Sequence, residues 1–552
     1  ALTEVIRETR RLLASLVRSK PAAWAPAVAS WAVDLLGRLS SKYPPPASSP
    51  PPRGGLNDLL QLWTSCETTR TLLDIYGQCL ASLVATCPDA CVDVLLDTSV
   101  QHSPHFDWVV AHVAAAFPGA VIGRVLACGL RDFCSEGGGG TTMALMTSPG
   151  DKRLPPKLAS VVGILGHLAS GHAAGVRREL LRLFHAGLAP AQPRGAVVFL
   201  LQLALLSPPL LGVVSAELVD SLTPPVLAQL HQRFSPLPRD DLEGLAGGLV
   251  RLLAQTADGA PRALRFLLDA AAPPAAPPAP QNDPPPVPDG VRDACERLVL
   301  LLLLHLQKLV HGRGGTGTAA AAGGGGGGGG AGGGPGDPPQ RPVPFLEALR
   351  GHVRDLCLEA LRLERKRCLW LHQLLGLLAV YAAPHGAPDA FFHLLALARG
   401  PEQLALATQL HAVLAPSLAD LPSAAASACV RQLHAGALPP PQLARLLRNL
   451  AALTGGGGRP PLEEDPLAPQ LASALARHLP ELARLLLHPH PAASAAAAAL
   501  LCALPAPPAL RPAQLHAVLR AAVHHFFLLL RRRCRHPPAF GAAPPAEDPP
   551  PP

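Results

Sequence analysis

The chain is poor in charged and aromatic residues. Only 16% of its 552 residues are Asp, Glu, Lys or Arg, and only 4% are Phe, Trp or Tyr. Binding to nucleic-acid bases relies on stacking by aromatic and arginine side chains, so this composition disfavours that class of function. Alternating runs of Val and Ile are nearly absent as well. Leu and Ala dominate the apolar residues, which make up 49% of the chain, and both favour helix.

The common catalytic signatures are also missing from the sequence. It holds no P-loop, no G-x-S-x-G elbow and no H-E-x-x-H motif. Gly312, Gly314 and Gly317 match G-x-G-x-x-G by spacing, but they follow a helix and lead into Ala and Gly runs. A dinucleotide site needs a strand before this motif and a helix after it. We therefore predict that the chain is not an enzyme and needs no cofactor.

Cysteine is too sparse for a disulfide-rich fold. The 12 cysteines are spread along the chain, and several occupy apolar helix positions, as Cys79, Cys295 and Cys502 do. This usage predicts reduced thiols in a cytosolic or nuclear compartment. Residues 1–20 mix charges throughout and do not resemble a signal peptide. Because the chain begins at Ala1 without Met and ends in a proline run, we expect it to be a fragment.

What the sequence does contain is a long series of amphipathic segments. In residues 289–311, Pro288 and Asp289 are typical of a helix start and Gly312 of a helix end. Apolar residues recur between them at helical spacing. About twenty such segments follow one another without a convincing strand pair or a strict repeat. The sequence predicts an all-α fold, an α-solenoid of irregular HEAT-like helical pairs, with separate helical bundles as the alternative.

Segments rich in Pro and Gly divide these helices, and we predict that they form disordered loops. The predicted organisation is a helical array (1–136), a loop (137–156), a second array (157–270), a Pro-rich linker (271–288), a helix (289–311), a Gly-rich loop (312–344), a third array (345–454), a loop (455–466), a C-terminal helical segment (467–533) and a tail (534–552).

Residues 197–219 are long and apolar enough to suggest a membrane span. Ser207, Pro208 and Pro209 interrupt this stretch at its middle, and proline breaks a helix interior. We therefore predict two buried helices here and no membrane partner.

One constellation has the residue types of a metal site. Cys87, Cys91, His102 and His105 give the spacing C-x3-C-x10-H-x2-H, and thiolates with imidazoles are the usual zinc ligands. However, Pro88 with Asp89 and Ser103 with Pro104 read as helix starts, which makes the same residues part of two packed helices. We favour the packed helices and predict no metal, keeping zinc as a weak alternative.

Two short basic clusters carry much of the formal charge of +8. They are Arg362, Arg365, Lys366 and Arg367, and then Arg531, Arg532, Arg533 and Arg535. Arginine suits a helix C-terminus, so solvated helix ends explain both clusters. The alternative function is an independent basic helical-repeat protein that binds RNA or an acidic partner through them.

Several long segments of the sequence resemble the family of Integrator complex subunit 5. They occur in the same order along the chain as in the family and are not explained by composition. The family's chain is longer at both ends, and the Pro-rich tail here departs from its pattern. The segments are CPDACVDVLLDTSVQHSPHFDWVVAH (87–112), ASVVGILGHLAS (159–170), RRELLRLFH (177–185), LLLLHLQKLVHGRGG (301–315) and LRLERKRCLWLHQLLGLLAVY (361–381), with similar stretches at 23–41 and 59–80.

This resemblance implies a nuclear, all-helical scaffold subunit without catalytic activity. The Integrator complex processes the 3′ ends of small nuclear RNAs and attenuates RNA polymerase II transcription, and its endonuclease is another subunit. It also recruits protein phosphatase 2A. The resemblance implies a place on the phosphatase side of the complex, with subunits 8, 2 and 6 as neighbours. It leaves direct RNA contact open, and the family has no catalytic or metal motif to transfer.

Overall fold

A computed structural model of the chain describes most of its predicted helices. The described residues are 2–43, 56–84, 88–136, 156–189, 195–271, 289–311, 342–362, 369–382, 386–415, 418, 420–436, 438–455, 467–504, 516, 519–520, 522–524, 526–527 and 530–531. They belong to two compact units, Ala1–Ala348 and Leu349–Pro552. Apart from their end residues, the predicted loops and the tail lie outside the described residues.

All regular structure in the described ranges is helical, which confirms the predicted all-α class. Two short 3-10 segments, Arg350–His352 and Leu485–Leu487, extend helices. In chain order the α-helices are α1 (Leu2–Ser19), α2 (Pro21–Lys42), α3 (Leu56–Ser65), α4 (Glu67–Leu83), α5 (Asp89–His102), α6 (Asp107–Ala116), α7 (Pro118–Glu136), α8 (Pro156–Gly171), α9 (Ala173–Leu188), α10 (Gly195–Leu206), α11 (Pro208–Asp220), α12 (Pro224–Phe234), α13 (Arg239–Gln255), α14 (Ala260–Ala271), α15 (Asp289–His311), α16 (Pro344–Leu349), α17 (Val353–Arg362), α18 (Leu369–Tyr381), α19 (Gly386–Leu397), α20 (Pro401–Leu414), α21 (Leu421–His434), α22 (Pro440–Leu453), α23 (Leu467–Ala476), α24 (Leu479–Arg484) and α25 (Pro491–Ala503).

Helices of the first unit pack on near neighbours in sequence. For example, α2 contacts α4 and α5, α6 contacts α8, α9 contacts α11, and α13 contacts α15. Each helical pair therefore covers its apolar face with the next pair, which is the packing rule of a helical-repeat array.

Trp108 is the largest fully buried side chain of the first unit. Its ring stacks on Trp63 of α3, with centroids 5.4 Å apart and planes 3° from parallel. Its Nε1 donates a hydrogen bond of 3.1 Å to Oγ of Ser40 in α2. One indole therefore joins α2, α3 and α6, and its polar atom has a partner, as a buried tryptophan requires.

In the second unit, side-chain amides close helix ends. Nδ2 of Asn449 in α22 donates to the carbonyl oxygens of Leu395 and Ala398, at 2.7 and 3.0 Å. Nε2 of Gln403 donates to the carbonyl of Leu361 at 2.8 Å. The last carbonyl oxygens of a helix have no donor within the helix itself. These side-chain amides supply the missing hydrogen bonds, so the carbonyl oxygens are not left without a partner.

Buried thiols occur in both units. Cys79 and Cys295 lie in the first, and Cys357 and Cys429 in the second. Burial raises the pKa of Cys79 to about 12 and that of Cys295 to about 11. It also raises the pKa of Cys429 to about 12, and it raises the pKa of Cys357 well above its ordinary value. These cysteines act as small apolar core residues, which explains their place on apolar helix faces.

The apolar stretch at 197–219 forms two helices, α10 and α11, which Ser207 separates. The prediction of two helices in place of one span is confirmed. No single described helix is long and apolar enough to cross a membrane. Taken together, α11 and α12 have the length and composition of a membrane span, but the pair is bent by 109° at the break between them.

Candidate functional site

The proposed zinc ligands are not brought together by the described residues. Cys91 is in the first turn of α5 and His102 is its last residue, 11 positions further on, which places them about 16 Å apart along the helix. Ligands of one zinc ion lie about 2 Å from the metal, so these two residues cannot share a site. Cys87 lies outside the described residues, and His105 is exposed.

Each described member of that set has a packing explanation instead. Cys91 is buried, and its carbonyl accepts a hydrogen bond of 2.9 Å from the Tyr76 hydroxyl. Nδ1 of His102 lies 2.7 Å from Oγ of Ser41 in α2. Within the described residues, no three His, Cys, Asp or Glu side chains form a metal-binding group. The interpretation as packed helices therefore accounts for Cys91 and His102. The predicted helix start at Ser103 and Pro104 is wrong, because Ser103 is the C-cap of α5 and α6 begins only at Asp107.

A buried carboxyl, Asp107, opens α6 beside this region. Ser103 and Ser160 bring their hydroxyl oxygens to 2.6 Å from each other beside the Asp107 side chain, whose Oδ1 is buried without a hydrogen-bond partner. Burial raises the pKa of Asp107 from its ordinary 3.8 to about 6, and the two serine hydrogen bonds oppose that effect. A carboxyl with this pKa is mostly ionised at neutral pH, so the folded state retains a desolvated charge.

Replacing Asp107 with asparagine should therefore change how stability depends on pH. A folded pKa above the unfolded one means that stability is greatest below about pH 4 and is lost as the pH rises through about 6. The asparagine does not ionise, so its advantage over the wild type should grow by up to about 3 kcal/mol between about pH 4 and pH 7. Urea denaturation across this range measures it.

A second variant checks the cause of that dependence. Ser160→Ala removes a hydroxyl that lowers the pKa of Asp107, so the loss of stability with rising pH should become larger. A difference between Asp107→Asn and the wild type that stays constant with pH would contradict this explanation.

The basic clusters are only partly visible in the described residues. Arg362 lies at the end of α17 and pairs with Glu359 one turn earlier, at 2.8 Å. Arg531 is exposed. Arg365, Lys366, Arg367, Arg532, Arg533 and Arg535 lie outside the described residues. A role for these clusters in binding therefore stays a prediction.

The first unit contains a large apolar groove. Helices α9 to α15 line it, and its volume is about 1600 Å³. Its walls are mainly Leu, Val and Phe side chains, and Leu304 of α15 is 54% exposed within it. Open apolar surface of this extent on a folded protein marks an interaction site for an apolar ligand or partner.

Small residues on α13 create the space. Gly244, Ala246 and Gly247 line the groove, where larger side chains would fill it. A Cβ at Gly247 would meet no atom within 4 Å, so this wall faces open space. Glycine is unfavourable inside a helix, so its use on this wall carries a cost in stability.

Two helices that run in parallel and pack directly on each other, α13 and α15, form one side of the groove. Glu243 of α13 pairs with Arg297 of α15 at 3.4 Å. Further along both helices, Arg251 of α13 acts electrostatically on His305 of α15. The residues of each pair are 54 positions apart in the chain, so α13 and α15 run in the same direction past each other.

The two ends of the groove differ in charge. At the first, Glu243 lies between Arg239, at 3.0 Å, and Arg297. At the second, Arg251, His305 and Lys308 line the groove, and among the described residues no ion pair joins Arg251 or Lys308 to a carboxylate. Burial, together with the charges of Arg251 and Lys308, lowers the pKa of His305. The second end is therefore a basic cluster at the rim of an apolar surface.

The groove is not predicted from the sequence. The amphipathic pattern predicts the helices, but the groove depends on which helices pack together, and these contacts join residues far apart in the chain. One local signal was present, the glycine-rich sequence LEGLAGGLVRLL at 242–253. Three glycines in one amphipathic helix weaken it and therefore indicate close approach or open space.

Helices that bury their apolar faces on successive pairs and leave an apolar groove define a helical-repeat protein of the all-α class. Comparison with known proteins specifies the family. The model of the Integrator complex subunit 5 N-terminus matches residues 1–135, and that of the Integrator complex subunit 5 C-terminus matches residues 157–542. The chain belongs to the family of Integrator complex subunit 5.

Curated relatives agree with this assignment. The Integrator complex subunit 5 of Mus musculus is 50% identical over 554 residues, which cover 95% of this chain. That of Drosophila melanogaster is 27% identical over 195 residues, covering 35% of this chain and 17% of its own length. The chain spans about half the length of the mouse relative, 53%.

Among solved structures, a chain of the SYS-1/POP-1 crystal complex covers 86% of this chain and 87% of its own length. At 13% identity and a TM-score of 0.28, this likeness carries no argument.

Proposed function

We propose that this chain is a non-catalytic scaffold subunit of the Integrator complex and acts in the nucleus. One observation carries the proposal, namely the match of the family models to residues 1–135 and 157–542. The helical-repeat fold supports it, since such arrays present extended surfaces to partners. The apolar groove along α9 to α15 supports it further, because it is a surface suited to another protein.

The finer parts of the proposal concern the work of the complex. The chain would support small nuclear RNA 3′-end processing and RNA polymerase II transcription attenuation, on the side that recruits protein phosphatase 2A. Its neighbours would be subunits 8, 2 and 6, and it would reach the phosphatase and the polymerase through the complex. In this arrangement the chain supplies packing surface and no reacting group.

Affinity purification from nuclear extract tests the proposal. The chain, tagged at one end, should enrich Integrator subunits above an untagged control, with subunits 8, 2 and 6 among the most enriched and phosphatase 2A also present. Mass spectrometry gives the enrichment of each protein. Recovery of the folded chain without any Integrator subunit would contradict the proposal.

The alternative, direct RNA binding, finds no support in a described contact. Arg362 is paired with Glu359, and the groove is lined mainly by apolar side chains. Binding through phosphate contacts would weaken steeply with salt because counterions are released. A salt titration of RNA binding to the wild-type chain therefore tests this second function separately.

A further inference from the structure

The size of the groove in the first unit matches one short helix. Along α15, Lys308 lies 11 residues beyond Arg297, a distance of about 16 Å at the rise of an α-helix. A helix of that length, with side chains and a diameter of about 10 to 12 Å, occupies about 1300 to 1800 Å³. The groove volume of about 1600 Å³ lies in this range and exceeds the usual range of small-molecule pockets.

The lining of the groove specifies which face of such a helix would enter it. Leu245 and Leu249 of α13 line the groove together with Leu298 and Leu301 of α15, the helix that packs on α13, and Phe266 of α14 is also in the wall. Apolar residues at positions i, i+4 and i+7 of a partner helix would cover them.

The charged residues at the ends of the groove specify the charge at one end of the partner helix. The carboxylate of Glu243 is already shared by Arg239 and Arg297. Arg251 and Lys308, at the other end, have no carboxylate partner among the described residues, and His305 lies between apolar and basic neighbours. An acidic side chain one turn beyond the apolar positions would pair with these cations.

The segments that adjoin the groove in the chain have the wrong composition for this role. Residues 272–288 contain prolines throughout, and proline lacks the N–H that a helix interior needs. Residues 312–341 consist largely of glycine, the weakest helix former after proline. Neither of these two segments therefore supplies an amphipathic helix to the groove.

We propose that the apolar groove lined by α9 to α15 binds an amphipathic helix of about three turns from a partner protein, which lies along α13 and α15, and that an acidic residue of this helix pairs with Arg251 and Lys308. This inference deepens the proposed scaffold function and rests on it for the source of the partner. The geometry of the groove itself is independent of that source.

A synthetic helical peptide tests the chemistry directly. The probe is an alanine-based peptide of about 15 residues with Leu at i, i+4 and i+7 and Glu at i+11, and fluorescence anisotropy measures its affinity for the chain. The double variant Arg251→Glu with Lys308→Glu should bind it about tenfold more weakly or worse. A peptide with Lys in place of Glu should prefer the double variant to the wild type.

Two further variants control for folding and for general charge effects. Gly247→Trp fills open space in the groove wall and should block the peptide while the helix content, measured by circular dichroism, stays unchanged. Lys20→Glu reverses an exposed charge at the start of α2, outside the groove, and should leave the affinity unchanged. Equal binding of the peptide and its scrambled form, or binding of oleate but not of the peptide, would overturn the proposal.

Purification from nuclear extract separates this inference from the proposed function. If the wild-type chain enriches Integrator subunits and Gly247→Trp loses at least one of them, both stand. If Gly247→Trp enriches the same set to the same extent, the groove proposal fails and the scaffold function survives. If the wild type enriches none, the scaffold function fails, and the peptide measurement alone decides whether the groove binds a helix.

Discussion

Trp108→Ala should lower the free energy of unfolding of the first unit by about 3 to 5 kcal/mol. The indole is fully buried, stacks on Trp63 and donates to Ser40. Its removal leaves a cavity where α2, α3 and α6 meet, and it leaves the buried Ser40 hydroxyl without this donor. The transition measured by urea denaturation and circular dichroism should move to lower denaturant concentration.

An exposed tryptophan of the same unit provides the matched control. Trp31 of α2 is 44% exposed, so Trp31→Ala removes the same side chain without opening a core cavity and should change stability by less than about 1 kcal/mol. Similar losses in the two variants would contradict the placement of Trp108 as the link among these helices.

Leu302→Asp should lower the free energy of unfolding of the first unit by about 4 kcal/mol or more. Leu302 is 3% exposed on the face of α15 that packs toward α13 and α14. An aspartate there has to remain desolvated and charged, take up a proton, or separate the helices. Because neighbouring pairs cover one another, the loss should spread to α13 and α14, and hydrogen exchange of their amides would detect it.

The same helix offers a control for this substitution. Leu300 is two residues away and 45% exposed, so Leu300→Asp places an equal charge in contact with water. Its stability should stay within about 1 kcal/mol of the wild type. If Leu302→Asp melted like Leu300→Asp, the assignment of the buried face of α15 would be wrong.

The sequence predicted those parts of the fold that depend on neighbouring residues. Pro288, Asp289 and Gly312 bracket a helix that runs Asp289–His311 in the structure. Ser207 and Pro208 indicated a break, and α10 and α11 meet there. Start and stop residues act through local backbone geometry, so a single sequence shows many of them. Ser103 with Pro104 is an exception, because this pair follows the end of α5 and α6 begins at Asp107.

Contacts between distant helices could not be predicted in this way. Trp63 and Trp108 are separated by 45 positions, and Arg251 and His305 by 54. Nothing in the amphipathic pattern says which apolar stripe covers which, because Leu and Ala faces are nearly interchangeable. The groove arises from such pairings of distant helices. The sequence shows the glycines of α13, but it does not show that they line a groove.

The buried thiols give the chain internal reporters of its own motion. Since only a thiolate reacts with an alkylating reagent, Cys79, Cys295, Cys357 and Cys429 stay protected until the helices around them open. Two of them lie in each compact unit. The rates at which mass spectrometry detects their labelling would therefore measure the opening of each unit separately, in the unmodified protein.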